Sequence, residues 1–269
     1  MQINRLPPKS GYIWIRQGIW LFKQSPFTFL MLVFLYIFLM QLSMFIPIVG
    51  IIIVLIFNPC ISVAFLTAAQ RVILKQTVKP SVYFTAIKEL PPVIRMRLLK
   101  LGGLYTTFIV FISLVSSQFI DVERIMPLLT SGEITGPDLI QEMYYALIVA
   151  AVLYLPVAML MWFSPQLIAW QNLSIRKAIF GSWLGFWFNK GAFVVYLATW
   201  GIILITVPLF VGGIFEALGI KQYASYLITP FSMISITVFY CSFYAIWKGC
   251  FTDTIKTTAN LSDEDETSS

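Results

Sequence analysis

The chain has 269 residues, of which 59% are hydrophobic and 11% are charged. A soluble domain usually carries about 25% charged residues, because even a large core needs a polar surface around it. The composition therefore excludes a soluble globular protein and predicts an integral membrane protein. The sequence has no histidine, and its three cysteines show no CxxC spacing, so we expect no metal site and no cofactor.

Runs without charged side chains define the predicted helices. The first run covers 47 residues, 24–70, and one helix needs about 20 apolar residues to cross a bilayer. Pro47 and Gly50 lie near its middle, where a turn between two helices is expected. Four later uncharged runs are each long enough for one crossing. The sequence therefore predicts six transmembrane helices, spans 1 to 6, at residues 27–45, 48–66, 101–119, 143–163, 192–213 and 226–247.

Basic residues mark one side of this predicted bundle. With six crossings, 16 of the 18 lysines and arginines fall on the same side as both termini. The opposite side holds only Arg124 and Lys221, together with six acidic residues at positions 121, 123, 133, 138, 142 and 216. Since cytoplasmic loops carry an excess of lysine and arginine, this asymmetry predicts that both termini are cytoplasmic.

A short amphipathic segment precedes spans 1, 3 and 5. Before span 1, Lys9, Arg16 and Lys23 recur every seven residues and share one helical face. The other two segments carry apolar stripes at helical spacing: Val82, Phe84, Ile87 and Leu90 before span 3, and Ile175, Ile179, Trp183, Phe186 and Trp187 before span 5. Such helices are typical of the membrane interface, where aromatic side chains lie at headgroup depth. Packing against the rest of the protein is the alternative.

The segments that follow spans 2 and 4 resemble each other. Phe57-Asn58-Pro59 is predicted to end one crossing and Phe163-Ser164-Pro165 to end the other. The pattern suggests three units, each an interfacial helix followed by a two-span hairpin. Residues 1–260 are predicted to form a single transmembrane domain, and residues 261–269, which are acidic and rich in Ser and Thr, a disordered tail.

Basic and aromatic residues beside the predicted interface are the candidate binding residues. A lysine or arginine near the surface attracts anionic lipid by about 1 kcal/mol. The predicted lipid contacts are Arg16, Lys23, Arg95, Arg97, Lys100, Arg176, Lys177, Trp183 and Trp187. The expected partners are the phospholipid bilayer and, as an open alternative, another membrane protein. Nucleic acid is not expected, because membrane topology already accounts for the charges.

No predicted span contains Asp, Glu, Lys or Arg, which argues against a carrier coupled to protons or sodium ions. The spans do contain neutral polar residues. Those of spans 3 and 6 are Thr106, Thr107, Ser113, Ser116 and Ser117, and Ser232, Ser235, Thr237, Tyr240, Ser242 and Tyr244. Hydrogen bonding between helices is their expected role. Lining a route for a neutral or apolar small molecule is the alternative.

An enzyme is a third and more distant interpretation. Asp121, Glu123 and Asp138 are acidic residues of the loop between spans 3 and 4 that could hold a divalent cation. The sequence contains no HExxH, no GxSxG and no Gly-rich phosphate loop. We therefore expect no catalytic residues and no enzymatic activity.

Several short motifs resemble those of a known group of proteins. They are Gly18-Ile19-Trp20-Leu21-Phe22 with Ser25-Pro26, then Asn58-Pro59 with Ala64 to Arg71, then Ser164-Pro165 with Arg176-Lys177-Ala178, Ser182 and Asn189. In these the chain resembles bacterial inner-membrane proteins of the YciC-like group and the membrane portion of some glycerophosphodiester phosphodiesterases. The resemblance implies a six-span α-helical fold in a bacterial cytoplasmic membrane, and it implies no site residues.

The sequence and the resemblance together predict a non-enzymatic inner-membrane protein. Its expected role is that of an accessory, assembly or membrane-organising factor that acts through lipid or protein contacts in the bilayer. The alternative is a transporter or channel for a neutral or apolar small molecule.

Overall fold

The computed structural model describes residues 2–46, 48–120 and 136–252, without the side chains of 136–142 and 252, and this part of the chain is almost entirely helical. Its helices are α1 (Ser10–Gln24), α2 (Pro26–Ser43), α3 (Val49–Ile73), α4 (Val82–Lys88), α5 (Pro92–Ser117), α6 (Gly136–Met161), α7 (Ser164–Gln171), α8 (Ile175–Phe188), α9 (Lys190–Ala217) and α10 (Ala224–Cys250), with a 3₁₀ turn at Lys221–Tyr223. The predicted tail 261–269 lies outside the described residues.

Six helices of this described part are long and apolar enough to cross a membrane, namely α2, α3, α5, α6, α9 and α10. The prediction of an all-α polytopic membrane protein with six spans is confirmed. We call the two ends of this bundle the basic end, marked by Arg71, Arg97 and Lys248, and the far end, where α2 meets α3 and α9 meets α10.

Two spans extend further at the basic end than the sequence predicted. Helix α3 continues to Ile73 and α5 already begins at Pro92. Absence of charge marks only the part of a helix in hydrocarbon, whereas the helix itself continues into the headgroup region. The expectation that Asn58-Pro59 ends a crossing was wrong, because Pro59 lies inside α3. Membrane helices tolerate an internal proline when neighbouring groups satisfy the freed backbone.

Helices occupy all three segments that were predicted to be amphipathic, as α1, α4 and α8. The buried face of α8 differs from the predicted stripe, because small residues such as Ala178, Gly181 and Ser182 form it. The aromatic side chains beside them remain partly exposed. In α4, Val82 and Ala86 are buried while Phe84 is 66% exposed. Each of these helices therefore packs on the protein with one face and leaves an apolar and basic face outside.

Helix α1 is inserted deeply between α9 and α10. A side-chain carbon added at Gly18 would lie 2.7 Å from Ser242 Cβ, and one at Gly11 would overlap the backbone carbonyl of Ala192. Trp14, 2% exposed, packs against Phe193 with ring centroids 5.3 Å apart. The glycines let three backbones approach closely, and the tryptophan fills the space between them.

The two ends of the described chain are joined at the basic end, in a pairing that we call the terminal strap. Gln2–Ile3 pairs in antiparallel fashion with Phe251–Thr252. Asn189, 1% exposed, holds this strap: its Oδ1 accepts a hydrogen bond from Leu6 N at 2.8 Å and its Nδ2 donates to Asn4 O at 2.9 Å. Both described ends of the chain therefore lie on the same face of the bundle, as an even number of spans requires.

Burial decreases sharply from the basic end to the far end. In α9 the buried residues are Ala192, Phe193, Tyr196 and Trp200, all in the first half of the helix. Later in the same helix Leu209 and Phe210 are 70% and 68% exposed. The far halves of the spans thus present apolar side chains outward, as a surface in lipid does.

Candidate functional site

The predicted lipid contacts all lie at the basic end. Arg16 and Lys23 are exposed on α1, and Arg176 and Lys177 are exposed in the first turn of α8. Lys100 is also exposed, on α5. We call this set, together with the exposed Lys248 of α10, the basic rim. It surrounds the end of the bundle at which α1, α4 and α8 carry their exposed aromatic and aliphatic side chains.

Aromatic side chains of α8 complete this surface. The rings of Trp183 and Trp187 stack with centroids 5.9 Å apart, and Lys190 Nζ lies 4.6 Å from the Trp187 centroid. A cation above an exposed indole is a modest attraction, about 0.5–1 kcal/mol. The arrangement places a positive charge beside a half-exposed aromatic pair, which suits the headgroup region of a bilayer.

Two arginines near the rim are engaged with the protein itself. Arg97 Nη1 donates to Asn172 Oδ1 at 2.8 Å and to Asn172 O at 3.2 Å, and so holds the end of α7 against α5. Arg71 forms a two-bond ion pair with Glu89, with Nη2–Oε2 at 2.6 Å. This pair ties α4 to the end of α3. Arg97 therefore joins two helices, a role that its position in the sequence did not indicate.

A groove of about 610 Å³ lies between α1, α10 and the end of α3. Its polar lining includes Ser10, Gln17 and Lys248, and its apolar lining includes Ile13 and Trp20. The Lys248 ammonium lies 5.4 Å from the ring centroid of Tyr244. A hollow with a cation at its edge and an apolar wall has the two kinds of surface that a phospholipid headgroup and acyl chain contact.

A cavity of about 440 Å³ lies between the spans. We call it the tyrosine cavity, because α2, α4, α5, α6 and α10 each contribute one tyrosine to its wall: Tyr36, Tyr83, Tyr105, Tyr154 and Tyr240. Tyr105 and Tyr154 place their hydroxyl oxygens 3.4 Å apart. Both proline motifs reach this cavity, Asn58-Pro59 from α3 and Pro165 from α7. The two motifs thus meet at one place, although their local structures differ, since Pro59 lies inside α3 and Pro165 lies in the first turn of α7. The repeat itself stays a prediction.

Tyr83 reaches the cavity from α4, outside the spans. Its hydroxyl donates to the backbone carbonyl of Leu32 at 3.0 Å. Burial, with a further contribution from Tyr240, raises the pKa of Tyr83 above its ordinary value, so the hydroxyl keeps its proton and remains a donor. Together with the Arg71–Glu89 pair, this bond fixes α4 across the basic end of the cavity.

The hydroxyl groups predicted to matter in spans 3 and 6 divide into two sets. Thr106 and Thr237 donate to backbone carbonyls four residues earlier in their own helices. Ser242 donates to Phe239 O in its own helix and also bonds to the Tyr196 hydroxyl of the neighbouring helix α9. The second bond is the predicted contact between helices. Tyr240 lines the cavity. Sequence reasoning missed Tyr36, Tyr83, Tyr105 and Tyr154. Tyr36 and Tyr105 are the single tyrosines of their uncharged runs, whereas the run that holds Tyr154 has two others.

The three candidate acidic residues of an enzyme are not brought together by anything described. Asp121 and Glu123 lie outside the described residues, and Asp138 lies in the first turn of α6, where side chains are not described. The absence of enzymatic activity stays a prediction.

Comparison with known proteins decides the family. Over 255 residues the chain is 36% identical to a "Probable inner membrane protein" of Burkholderia thailandensis, an alignment that covers 93% of this chain and 94% of that protein. The chain belongs to the same family. No protein-family model and no solved structure matches it. Family membership and the six candidate spans together establish a multi-pass inner membrane protein.

Proposed function

We propose that the protein is a non-enzymatic accessory or membrane-organising factor of the inner membrane that acts by holding anionic lipid at its basic rim. The observation that carries the proposal is the exposed face of the three interfacial helices. On each of them an apolar side chain stands free beside a basic one: Trp20 is 51% exposed on α1, Phe84 is 66% exposed on α4 and Phe180 is 64% exposed on α8.

This combination of exposed apolar and basic side chains favours contact of the basic rim with lipid headgroups over contact with water alone. An exposed aromatic residue is stabilised at headgroup depth, and the neighbouring lysine or arginine gains from the negative surface of the cytoplasmic leaflet. The groove with Lys248 offers one defined place for a headgroup. The same charges support the proposal that both termini are cytoplasmic, since the strap holds the two ends at the basic end.

Extraction with surrounding lipid tests this function. The protein is isolated in polymer-bounded membrane discs, and its phosphatidylglycerol content is compared with that of the whole membrane. We expect enrichment, and we expect Arg16→Gln combined with Lys177→Gln and Lys248→Gln to reduce it. The matched control is Lys221→Gln, which removes an exposed lysine of the far end. Lipid identical to the bulk membrane, with no partner protein retained, would exclude an organising role.

A transporter of a neutral small molecule is the second candidate, and the tyrosine cavity is the observation that favours it. Transport requires that the cavity be reached by water at some stage. Cysteine placed at Tyr154 should then react with a membrane-impermeant thiol reagent, whereas cysteine at the buried Tyr196 of α9 should not. An inert thiol at Tyr154, tested from both sides, rules out an aqueous route through this cavity.

We also propose that the family is related to the YciC-like group. The residues that support this are buried and hold helices together. Gly18 contacts Ser242, Ser182 bonds to backbone groups where α6 ends and α7 begins, and Asn189 holds the terminal strap. A structure of a YciC-like protein tests the relation. Equivalent residues should occupy the same three joints, and a different helix order would separate the two groups.

A further inference from the structure

We propose that the tyrosine cavity binds one neutral amphiphile drawn from the bilayer, a molecule with an apolar body and a carbonyl or hydroxyl head. The site is distinct from the basic rim, and the proposal does not depend on lipid binding there. Its volume of about 440 Å³ falls within the range of about 300–1,000 Å³ that is usual for small-molecule sites. Its mixed wall of aromatic rings and a few polar groups is also typical of such sites.

The absence of charged side chains in the cavity wall favours a neutral ligand. Among the described residues, no Asp, Glu, Lys or Arg lines the cavity. A phosphate or ammonium group held there would lose its hydration without gaining a counter-charge, which is costly at membrane depth. An uncharged head that needs only one or two hydrogen bonds meets no such penalty.

Asn58 and Ser62 are the groups that would bind this head. They are four residues apart on α3 and therefore share one helical face. The Asn58 side chain lines the cavity and is partly exposed there, and the described residues offer its amide no hydrogen-bond partner. It lies nine residues after the start of α3, about 14 Å along the helix axis, so it is deep in the apolar layer. An amide left unpaired in such surroundings costs about 2 kcal/mol or more.

Ser62 is already oriented by its neighbour. Its Oγ accepts a hydrogen bond from Gln166 Nε2 at 2.8 Å, which leaves the serine proton to be donated. Gln166 is 3% exposed, and its own Oε1 has no partner. A ligand carbonyl accepting from Asn58 and Ser62 would satisfy two donors that the protein leaves open at the cavity.

Burial around the cavity indicates that the ligand enters from the apolar layer. Toward the basic end the lining residues Leu66 and Leu101 are 2% and 0% exposed, and α4 lies across that end. Toward the far end the next residues of the same spans are open: Phe38 is 53%, Phe111 57% and Val152 66% exposed. This gradient of burial favours entry from the lipid side of the spans over entry from water at the basic end.

Photolabelling in nanodiscs tests the proposal with the full chain. The probes are a diacylglycerol and a phosphatidylglycerol that carry the same diazirine acyl chain. We expect the diacylglycerol probe to label peptides that contain cavity residues, and the charged probe to label them at least about five-fold less. Asn58→Leu should reduce diacylglycerol labelling about five-fold, the effect of losing one hydrogen bond. Gln41→Leu, which removes an exposed amide on α2, should leave the labelling unchanged.

Two further measurements keep the result interpretable. Melting temperatures identify any variant that fails to fold, and Tyr154→Phe is compared with Tyr145→Phe on the same helix, since Tyr145 is 70% exposed and lies outside the cavity. Only Tyr154→Phe should lower labelling. Equal labelling by both probes, or full labelling of a folded Asn58→Leu protein, would overturn the proposal. Complete protection by water-soluble diacetin, which has the same head without long chains, would overturn the bilayer as the source.

Discussion

The basic end and the far end of this bundle are built from the same helices but in opposite ways. At the basic end α1, α7 and α8 fill the spaces between the spans, glycines bring backbones together, and side chains such as Phe193 are fully buried. At the far end the same spans stand with apolar side chains outward, and a side-chain carbon added at Gly212 or Gly213 would have nothing within 4 Å. Stability in this protein thus comes from close packing at one end, since apolar surface gains little by leaving lipid.

The largest expected effect comes from truncating one aromatic ring at each end of α9. Phe193→Ala removes a ring in contact with Trp14, Trp162 and Phe186 and should cost about 3 kcal/mol, a fall of roughly 6–12 °C in melting temperature. Phe210→Ala, at a side chain 68% exposed, should change it little. Buried Cys60, Cys241 and Cys250 allow unfolding to be followed with a thiol-reactive dye. Equal shifts at both positions would contradict the comparison.

Two adjacent glycines of α5 test the effect of close packing, with the next largest expected effect. A side-chain carbon at Gly102 would overlap the backbone carbonyl of Ile56, whereas one at Gly103 would have nothing within 4 Å. Gly102→Ala should destabilise by about 1–3 kcal/mol through overpacking of α5 on α3. Gly103→Ala should be neutral or slightly stabilising, because alanine favours helix. The same dye measurement decides, and a stable Gly102→Ala protein would show that α3 and α5 separate easily.

Two serines provide a smaller contrast. Ser182 Oγ accepts from Phe163 N at 3.0 Å and donates to Met159 O at 2.8 Å, fully buried. Its replacement by alanine leaves two backbone groups unpaired and should cost about 1–3 kcal/mol. Ser117→Ala, at an exposed position of α5 where the Oγ donates to Leu114 O, should cost less than about 0.5 kcal/mol. Comparable losses of stability in the two variants would mean that a residue other than Ser182 holds the junction between α6 and α7.

The smallest effect is expected at the Arg71–Glu89 pair, whose side chains are 26% and 59% exposed. Glu89→Gln should cost about 0.2–1 kcal/mol, and high salt should reduce the difference. Melting curves at low and high salt measure it, with Lys88→Gln as the control because it removes a neighbouring exposed charge. A large loss that salt does not change would show that α4 depends on this pair for its position.

Much of the fold followed from where charges are absent. The uncharged run from residue 24 to 70 predicted two crossings. The clustering of lysine and arginine predicted that these basic residues lie at one end of the bundle. The ends of two helices at the basic end, Ile73 and Pro92, were missed by seven to nine residues. The absence of charge marks the part of a helix that lies in hydrocarbon, and it does not show where the helical hydrogen bonding ends. The insertion of α1 between α9 and α10 was also not predicted, because only the packed structure shows which backbones Gly11 and Gly18 contact.

The cavity was harder to predict than the fold. Its wall is assembled from five tyrosines on five different helices, and no spacing along the chain connects them. Asn58, an amide within a long uncharged run, was one available clue. The sequence placed it in a motif at the end of a helix, whereas the structure places it in mid-helix, facing a hollow.

The strap between Gln2–Ile3 and Phe251–Thr252 has a consequence for biosynthesis. Helix α1 leaves the ribosome before the spans, yet its partners α9 and α10 follow only after four of them. The glycine face of α1 therefore stays unoccupied until α9 and α10 have been synthesised. The docking of α1 between α9 and α10 is thus a late step of assembly, and a chain truncated before α10 would leave Gly18 without its partner Ser242.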